Sequence, residues 1–372
     1  MDGRDRCKCV ECMNEEKKIR ILYIVEAMGG GVFTYLSELC NELVDKYEIF
    51  IAYGIRQETP ADIKIYFDAR VRFYHVEHFC RELNPVKDVC AIKEIRQIAK
   101  KVRPDIIHLH SSKAGAIGRI AFSGKKQKLF YTPHGYSFLM NDCNEYKRLI
   151  YKLIESILAK RKCMTICCGE GEYKEAKKIT RNASFVNNAI NITEIHNLLN
   201  QNAEKNNKFT VFTLGRICRQ KNPALFNKIA EQLPDVSFIW IGDGDLKDEL
   251  KMANIEITGW KSRREALQIA NQADVFLLTS NWEGMPLSIL EAMYMKKICV
   301  VSDIPGNREI IDDDQNGYLC RSVPEYVETI RKIKESDCGK VRECAYEAIM
   351  NKYNTAIMGK AYSQIYDNGF YE

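Results

Sequence analysis

Two carboxylates give the sharpest chemical signal in the chain. Glu283 and Glu291 bracket the run from Gly284, Met285, Pro286 and Leu287 onward, with seven residues between them. Glu283 belongs to the loop after an apolar run, and Glu291 lies over a turn into the helix that follows. Such a pair can grip the hydroxyls of an extended sugar ligand, or act as acid and base in glycoside hydrolysis. A second group is Arg216 with Lys221. The planar fork of arginine and the point charge of lysine both suit phosphate oxygens, and Asn222-Pro223 opens a helix directly behind them. The pair reads as a diphosphate cradle or as a solvated basic loop. Third, Gly29, Gly30 and Gly31 stand between the first apolar run and a helix, where backbone can approach a ligand and helix N–H groups can meet an anion. Their spacing is not that of a dinucleotide fingerprint, so the triplet also reads as a plain tight turn.

His110, Ser111, Ser112 and Lys113 sit at a strand end that leads into a helix, a good setting for an anion on the acceptor side of a cleft, or equally a group that only packs. His108 and His110 share one strand face, but the neighbouring sequence supplies no third metal ligand. Asp243-Gly244-Asp245 imitates an acidic metal motif, yet it ends an apolar strand and reads as a turn. Asp312, Asp313 and Asp314 read as a solvated loop. Cys7, Cys9 and Cys12 are three thiols in one short segment, whereas a closed zinc site needs four ligands. Neither a metal nor an organic cofactor is therefore expected.

The elements that must position these residues follow from periodicity. Apolar, β-branched runs at 19–25, 47–53, 70–76, 105–111, 128–134, 164–170 and 183–189 alternate with helical patterns at 32–44, 86–102, 112–122 and 144–162. The scheme repeats with runs at 209–215, 237–243, 255–260, 273–280 and 298–303. Continuous apolar runs joined by helices predict buried parallel strands, hence an α/β protein with two doubly wound sheets. The polar stretch 201–207 marks the break. The expected division is an extension at 1–17, a first domain at 18–190 and a second at 191–372, with the last helix returning to the first domain. Ligands gather at the carboxyl ends of such strands, so the cleft between the domains is the expected site.

Composition agrees. The chain has 372 residues, 46% hydrophobic and 28% charged, which suits two globular domains and excludes a disordered or collagenous chain. No apolar run approaches the length of a spanning helix, and the charged first residues lack the apolar segment of a secretory signal. With 15 scattered cysteines, reduced thiols in the cytoplasm are expected. The net charge of +5 divides into an excess of nine positive charges over 1–190 and four negative over 191–372. A one-sided basic surface suits an anionic partner. No recognition motif supports nucleic acid. The basic amphipathic stretch 146–162 fits an anionic membrane face equally with a core-packed helix that has a solvated basic side.

Taken together, GGGV after the first strand, TPHGYS (132–137), GRICRQKNP (215–223), IGDGD (241–245), ITGW (257–260) and EGMPLSILE (283–291) resemble the retaining nucleotide-sugar glycosyltransferases of family 4. The resemblance runs in order from about Lys18 to near the end. It implies the GT-B fold, two Rossmann-like domains around a cleft. It also implies roles. Arg216 and Lys221 would bind the donor diphosphate, with Gly30 and Gly31 approaching from the opposite domain. Glu283 would hold donor-sugar hydroxyls beside the backbone of Gly284, Met285, Pro286 and Leu287. Glu291 would hold the ribose and Gly259 would meet the base. His134 would stand near the anomeric carbon.

The expected function is a metal-independent, retaining hexosyltransferase in capsule or exopolysaccharide synthesis. Its donor would be a nucleotide sugar, UDP-linked in the first instance and GDP-linked as the alternative. Its acceptor would be a polyprenyl-diphosphate-linked sugar, met at the inner face of the plasma membrane. A UDP-sugar 2-epimerase shares the two-domain plan and is the alternative from another class.

Overall fold

The computed structural model describes residues 18–26, 28–56, 59–80, 82–139, 144–199 and 208–368. Residues 1–17, with Cys7, Cys9 and Cys12, and the polar stretch 201–207 lie outside the described residues.

The first half folds as β1 (Arg20–Val25), α1 (Gly30–Leu43), β2 (Glu48–Tyr53), β3 (Arg72–His75), α2 (Pro85–Val102), β4 (Ile106–His110), α3 (Ser112–Ala121), β5 (Lys128–Thr132), α4 (Glu145–Leu158), β6 (Met164–Cys167), α5 (Glu170–Lys177) and β7 (Ala183–Phe185). The second follows as α6 (Ile192–Leu198), β8 (Thr210–Leu214), α7 (Pro223–Glu231), β9 (Ser237–Ile241), β10 (Ile255–Ile257), α8 (Arg263–Gln272), β11 (Val275–Leu278), α9 (Leu287–Tyr294), β12 (Ile298–Ser302), α10 (Pro305–Arg308), β13 (Tyr318–Cys320), α11 (Val323–Glu335), α12 (Gly339–Lys352) and α13 (Thr355–Asn368).

The strands form two parallel sheets, of order β3-β2-β1-β4-β5-β6-β7 and β10-β9-β8-β11-β12-β13. Each expected run yields a strand because helices cover both sheet faces, so no alternation with polar residues is needed. β4 shows the effect: all five of its residues are buried, His108 and His110 included. β13 has only three residues and escaped the periodicity reading. The strand order reverses between β1 and β4 and again between β8 and β11. At such switch points the loops diverge and leave a crevice. The loops there hold Gly30 and Ser111 in the first sheet, and Lys221 and Glu283 in the second.

In the first half, one core lies between the sheet and α1, and the other lies under α2 and α3. The first of these is completed by α13, the final helix. Tyr35 and Tyr362 share a hydrogen bond of 2.5 Å, Tyr23 and Tyr366 one of 3.3 Å, and Lys46 pairs with Asp367 at 2.5 Å. The chain crosses between halves beside Ile190, whose N–H donates to the Tyr353 carbonyl and whose carbonyl accepts from Thr355 N–H.

α4 departs from a core-packing amphipathic helix. Only Glu155 and Leu158 are buried along it, and Leu149, Ile150, Leu153 and Ile157 face solvent. Its anchor is polar. The Glu155 carboxylate accepts from Arg119 at 2.7 Å and from the Tyr131 hydroxyl at 2.9 Å.

Candidate active site

On the second sheet, the loops after β8 and β11 are zipped together. Asn281 N–H donates to the Gln220 carbonyl at 2.8 Å, and the Thr279 hydroxyl donates to the Lys221 carbonyl at 2.8 Å. Asn222, in the left-handed region at φ 53°, caps α7 by accepting from Leu225 N–H. This zipper brings Lys221 to Glu283. Its ammonium donates to Glu283 Oε1 at 2.7 Å; the Ser280 hydroxyl donates to the same oxygen at 2.6 Å, and Gln220 donates to Oε2 at 3.1 Å. The Glu283 side chain is almost wholly buried, so three donors replace the water it has lost.

Arg216 lies further out, where it pairs with Asp245 at 2.7 Å. That contact is exposed to water, which weakens the hold of Asp245 on the guanidinium. Asp243-Gly244-Asp245 forms a turn. A Cβ on Gly244 would stand 2.1 Å from the Ile217 carbonyl oxygen, so only glycine lets the two loops touch. Glu291 is buried in α9 and pairs with Arg263 at 2.7 Å; Arg263 also reaches Glu194 at 3.3 Å. Glu38 of α1 lies in the same group. Burial first, then the neighbouring Glu194 charge, raises its carboxyl to about 8.

On the first sheet, His134 follows β5 in the left-handed region, φ 55°, with Gly135 at φ 91°. A histidine in this conformation is uncommon and is held by its surroundings. Glu172 of α5 accepts from Gly135 N–H at 2.7 Å and from Cys168 N–H at 2.9 Å. Burial lifts the Glu172 carboxyl to about 7, against these two hydrogen bonds that favour its charge. The His134 ring bonds His110 Nδ1 through Nε2 at 2.8 Å and meets Cys168 Sγ through Nδ1 at 3.4 Å. Desolvation drops its pKa to about 3, so the imidazole stays neutral.

Within the expected acceptor-side group, His110 is fully buried, with its Nδ1 bonded to His134 and its Nε2 without a hydrogen-bond partner. Lys113 is tied to α2, pairing with Asp88 at 2.6 Å and donating to the Glu82 carbonyl at 2.8 Å. Ser111 and Ser112 remain at the strand end, Ser111 with φ 77° and an unpartnered buried hydroxyl. His108 is spent internally, on Tyr366 at 2.6 Å and Thr132 at 2.9 Å. Among the described residues, the metal-like cluster is Glu77, His78 and Glu94, which lies beyond β3 and apart from these loops.

The halves meet through the same loops. The Asn188 side-chain amide donates to the Met285 carbonyl at 2.6 Å. Glu309, after α10, sets its carboxylate against the start of α5, so close that a Cβ on Gly169 or Gly171 would come within 2.3 Å or 2.2 Å of its oxygens. Gly306 packs against the backbone of Glu283 and Gly284 in the same way. Five glycines have open space where a Cβ would stand: Gly30, Gly31, Gly135, Gly259 and Gly284. Four of them are glycines that the family resemblance assigns to the donor. Gln220, Glu172, Cys168 and Arg263 had no signal of their own in the sequence, since each matters through a contact many residues away; Ser280 lies only three residues before Glu283 but is one of many serines.

Two family models match the chain, Glycosyltransferase Family 4 over residues 29–194 and Glycosyl transferases group 1 over residues 194–350. An Escherichia coli protein named UDP-Gal:alpha-D-GlcNAc-diphosphoundecaprenol alpha-1,3-galactosyltransferase is 32% identical over 81% of this chain and 83% of its own length. An uncharacterized 41.2 kDa protein in the cps region of Klebsiella pneumoniae is 29% identical over 94% of this chain and 99% of its own. Among solved structures, a sucrose-phosphate synthase from Thermosynechococcus elongatus superposes with TM-score 0.80 at 13% identity, covering 94% of this chain and 99% of the other. Anabaena HepE in complex with UDP-glucose gives 0.76 at 17% identity, covering 94% of this chain and 100% of the other. Those two show the fold, which is GT-B. With both domain models matched in order and a relative above 30% identity along most of its length, the chain belongs to the family 4 glycosyltransferases.

Proposed function

We propose that this glycosyltransferase moves a hexose from a UDP-sugar to a polyprenyl-diphosphate-linked sugar, with retention of anomeric configuration and without a metal ion. The observation that carries the reading is the Lys221–Glu283 pair at the switch point of the second sheet, beside the open backbone of Gly284. A donor laid along that loop meets Lys221 with its diphosphate and Glu283 with its sugar hydroxyls. The start of α9 is uncapped by any side chain, so its N–H groups face the same ligand. The relative named for UDP-galactose and a diphosphoundecaprenol acceptor supports the donor and acceptor classes.

Transition-state charge develops on the leaving phosphate and at the anomeric carbon. Lys221, helix N–H groups and Arg216, once released from Asp245, neutralise the phosphate. Neutral His134 contributes a dipole at the other side of the reacting centre, oriented by His110 and Cys168. With these positive groups supplied by the chain itself, the phosphate needs no cation.

The test is transfer from UDP-galactose to a short-chain polyprenyl-diphosphate GlcNAc, with and without EDTA and with the product analysed by NMR. A retained α-linkage insensitive to EDTA is expected. An inverted product excludes the front-face mechanism, and strict dependence on Mg²⁺ or Mn²⁺ shows that Asp243 and Asp245 were misread. Conversion of the donor to its 2-epimer without acceptor supports the isomerase reading instead.

A further inference from the structure

α4 is built inside out. Its charged Glu155 points into the domain, while Tyr146, Leu149, Ile150, Leu153 and Ile157 are 81%, 67%, 51%, 59% and 55% exposed. These five recur at the spacing of a single helical face, and that face is directed away from the buried side formed by Glu155 and Leu158. A soluble protein scatters single apolar residues over its surface, but a continuous stripe marks a contact surface.

Charge selects the occupant. Lys147 and Lys152 are exposed on either side of the stripe, and Lys160 and Arg161 continue it past the end of the helix. Gly124 packs against the Lys162 carbonyl, which brings exposed Lys125 and Lys126 to the same end. Beyond Glu145 at its start, α4 exposes no carboxylate. Apolar side chains in the middle with long cationic ones at the flanks match a bilayer surface, where the stems lie along the lipid and the charges reach the headgroups.

We propose that α4 is a membrane-docking helix that lies in the interface of an anionic bilayer. The geometry joins it to the candidate site. Arg148 Nε donates at 3.2 Å to the Phe138 carbonyl, in the short turn Ser137–Leu139 that follows His134 and Gly135. Docking through α4 therefore places the bilayer on the element that also holds the turn after His134. Its purpose rests on the acceptor reading above; the surface itself rests only on the exposed stripe and its cations.

The test uses the full chain and co-sedimentation with phosphatidylglycerol-containing and pure phosphatidylcholine vesicles, at low and high salt. Binding to the anionic vesicles that weakens with salt is expected. Leu149→Glu with Leu153→Glu should reduce it at least tenfold, and Lys147→Glu with Lys152→Glu severalfold. Circular dichroism should be unchanged, because all four residues are exposed. Undiminished binding of the Leu149→Glu/Leu153→Glu variant overturns the proposal. Equal binding of the native chain to neutral vesicles overturns the part given to the cations. A native dimer that this variant turns into monomers, with no vesicle binding, shows that a second copy covers the stripe and also overturns it. Transfer to a water-soluble acceptor separates the two readings: vesicle binding without transfer from any donor leaves the docking helix standing and removes the enzymatic reading, and the converse removes the helix alone.

Discussion

Glu283 is held before any ligand arrives, by Lys221, Ser280 and Gln220 together. A carboxylate so held spends no reorganisation on meeting a sugar hydroxyl, which is how preorganised groups lower a barrier. Glu283→Gln keeps the shape, removes the charge and leaves the Lys221 ammonium without its counter-charge. We expect kcat/KM to fall by about 10²–10³, roughly 3–4 kcal/mol of barrier. Near-normal turnover would remove Glu283 from the reaction. The sequence announced Glu283 and Lys221 separately, through motif and charge. Their contact was not legible, because a separation of 62 positions hides which loops meet. The same holds for His110, whose bond to His134 joins positions 24 residues apart in the sequence.

Strands and the helices behind them were the most legible level, since the continuous apolar runs of β1 and β11, bounded by helical patterns, fit a covered parallel sheet. Which face a helix buries was less so. The apolar residues of α4 fitted a core as well as a membrane, and the inward turn of Glu155 toward Arg119 shows which side is buried. Contacts between elements carry two predictions. Glu309 lies on the start of α5 where Gly171 has no side chain, so Gly171→Ala forces a methyl against the carboxylate. Loss of about 1–3 kcal/mol of stability is expected in denaturant titration, and Gly31→Ala, at an open position, should cost less. Glu38 offers a pH test. Its carboxyl is raised to about 8 in the fold, chiefly by burial, against an ordinary value of 4.5. The folded chain therefore keeps a proton that the unfolded chain has released between those values. Stability should fall as pH rises through that window, by up to about 1.4 kcal/mol per unit for this one group. Glu38→Gln removes the dependence, so its advantage in Tm over the native chain should be larger at pH 8 than at pH 5. An equal difference at both values would show that Glu38 is ionised in the fold.

At the scale of the molecule, the two sheets are tied by more than the segment at Ile190. The tyrosines of α13 complete the first half's core at the end of the chain: Tyr362 reaches Tyr35, and Tyr366 reaches Tyr23 and His108. Tyr362→Ala should cost about 3–5 kcal/mol, as large buried aromatics do, whereas Tyr362→Phe should cost only the hydrogen bond, about 1 kcal/mol. Equal losses would mean that the hydroxyl pair, and not the ring, carries the contact. The return of α13 also has a consequence in time. β1, β4 and α1 leave the ribosome early, but the surface they present to α13 stays bare until Tyr362 and Tyr366 have been translated, more than 300 codons after Tyr23 and Tyr35. At 5–20 residues per second that is a wait of roughly 15–65 s. The half made first is thus the half finished last, and through that interval its aromatic face is open to whatever chaperone, or neighbouring nascent chain, reaches it before its own final helix.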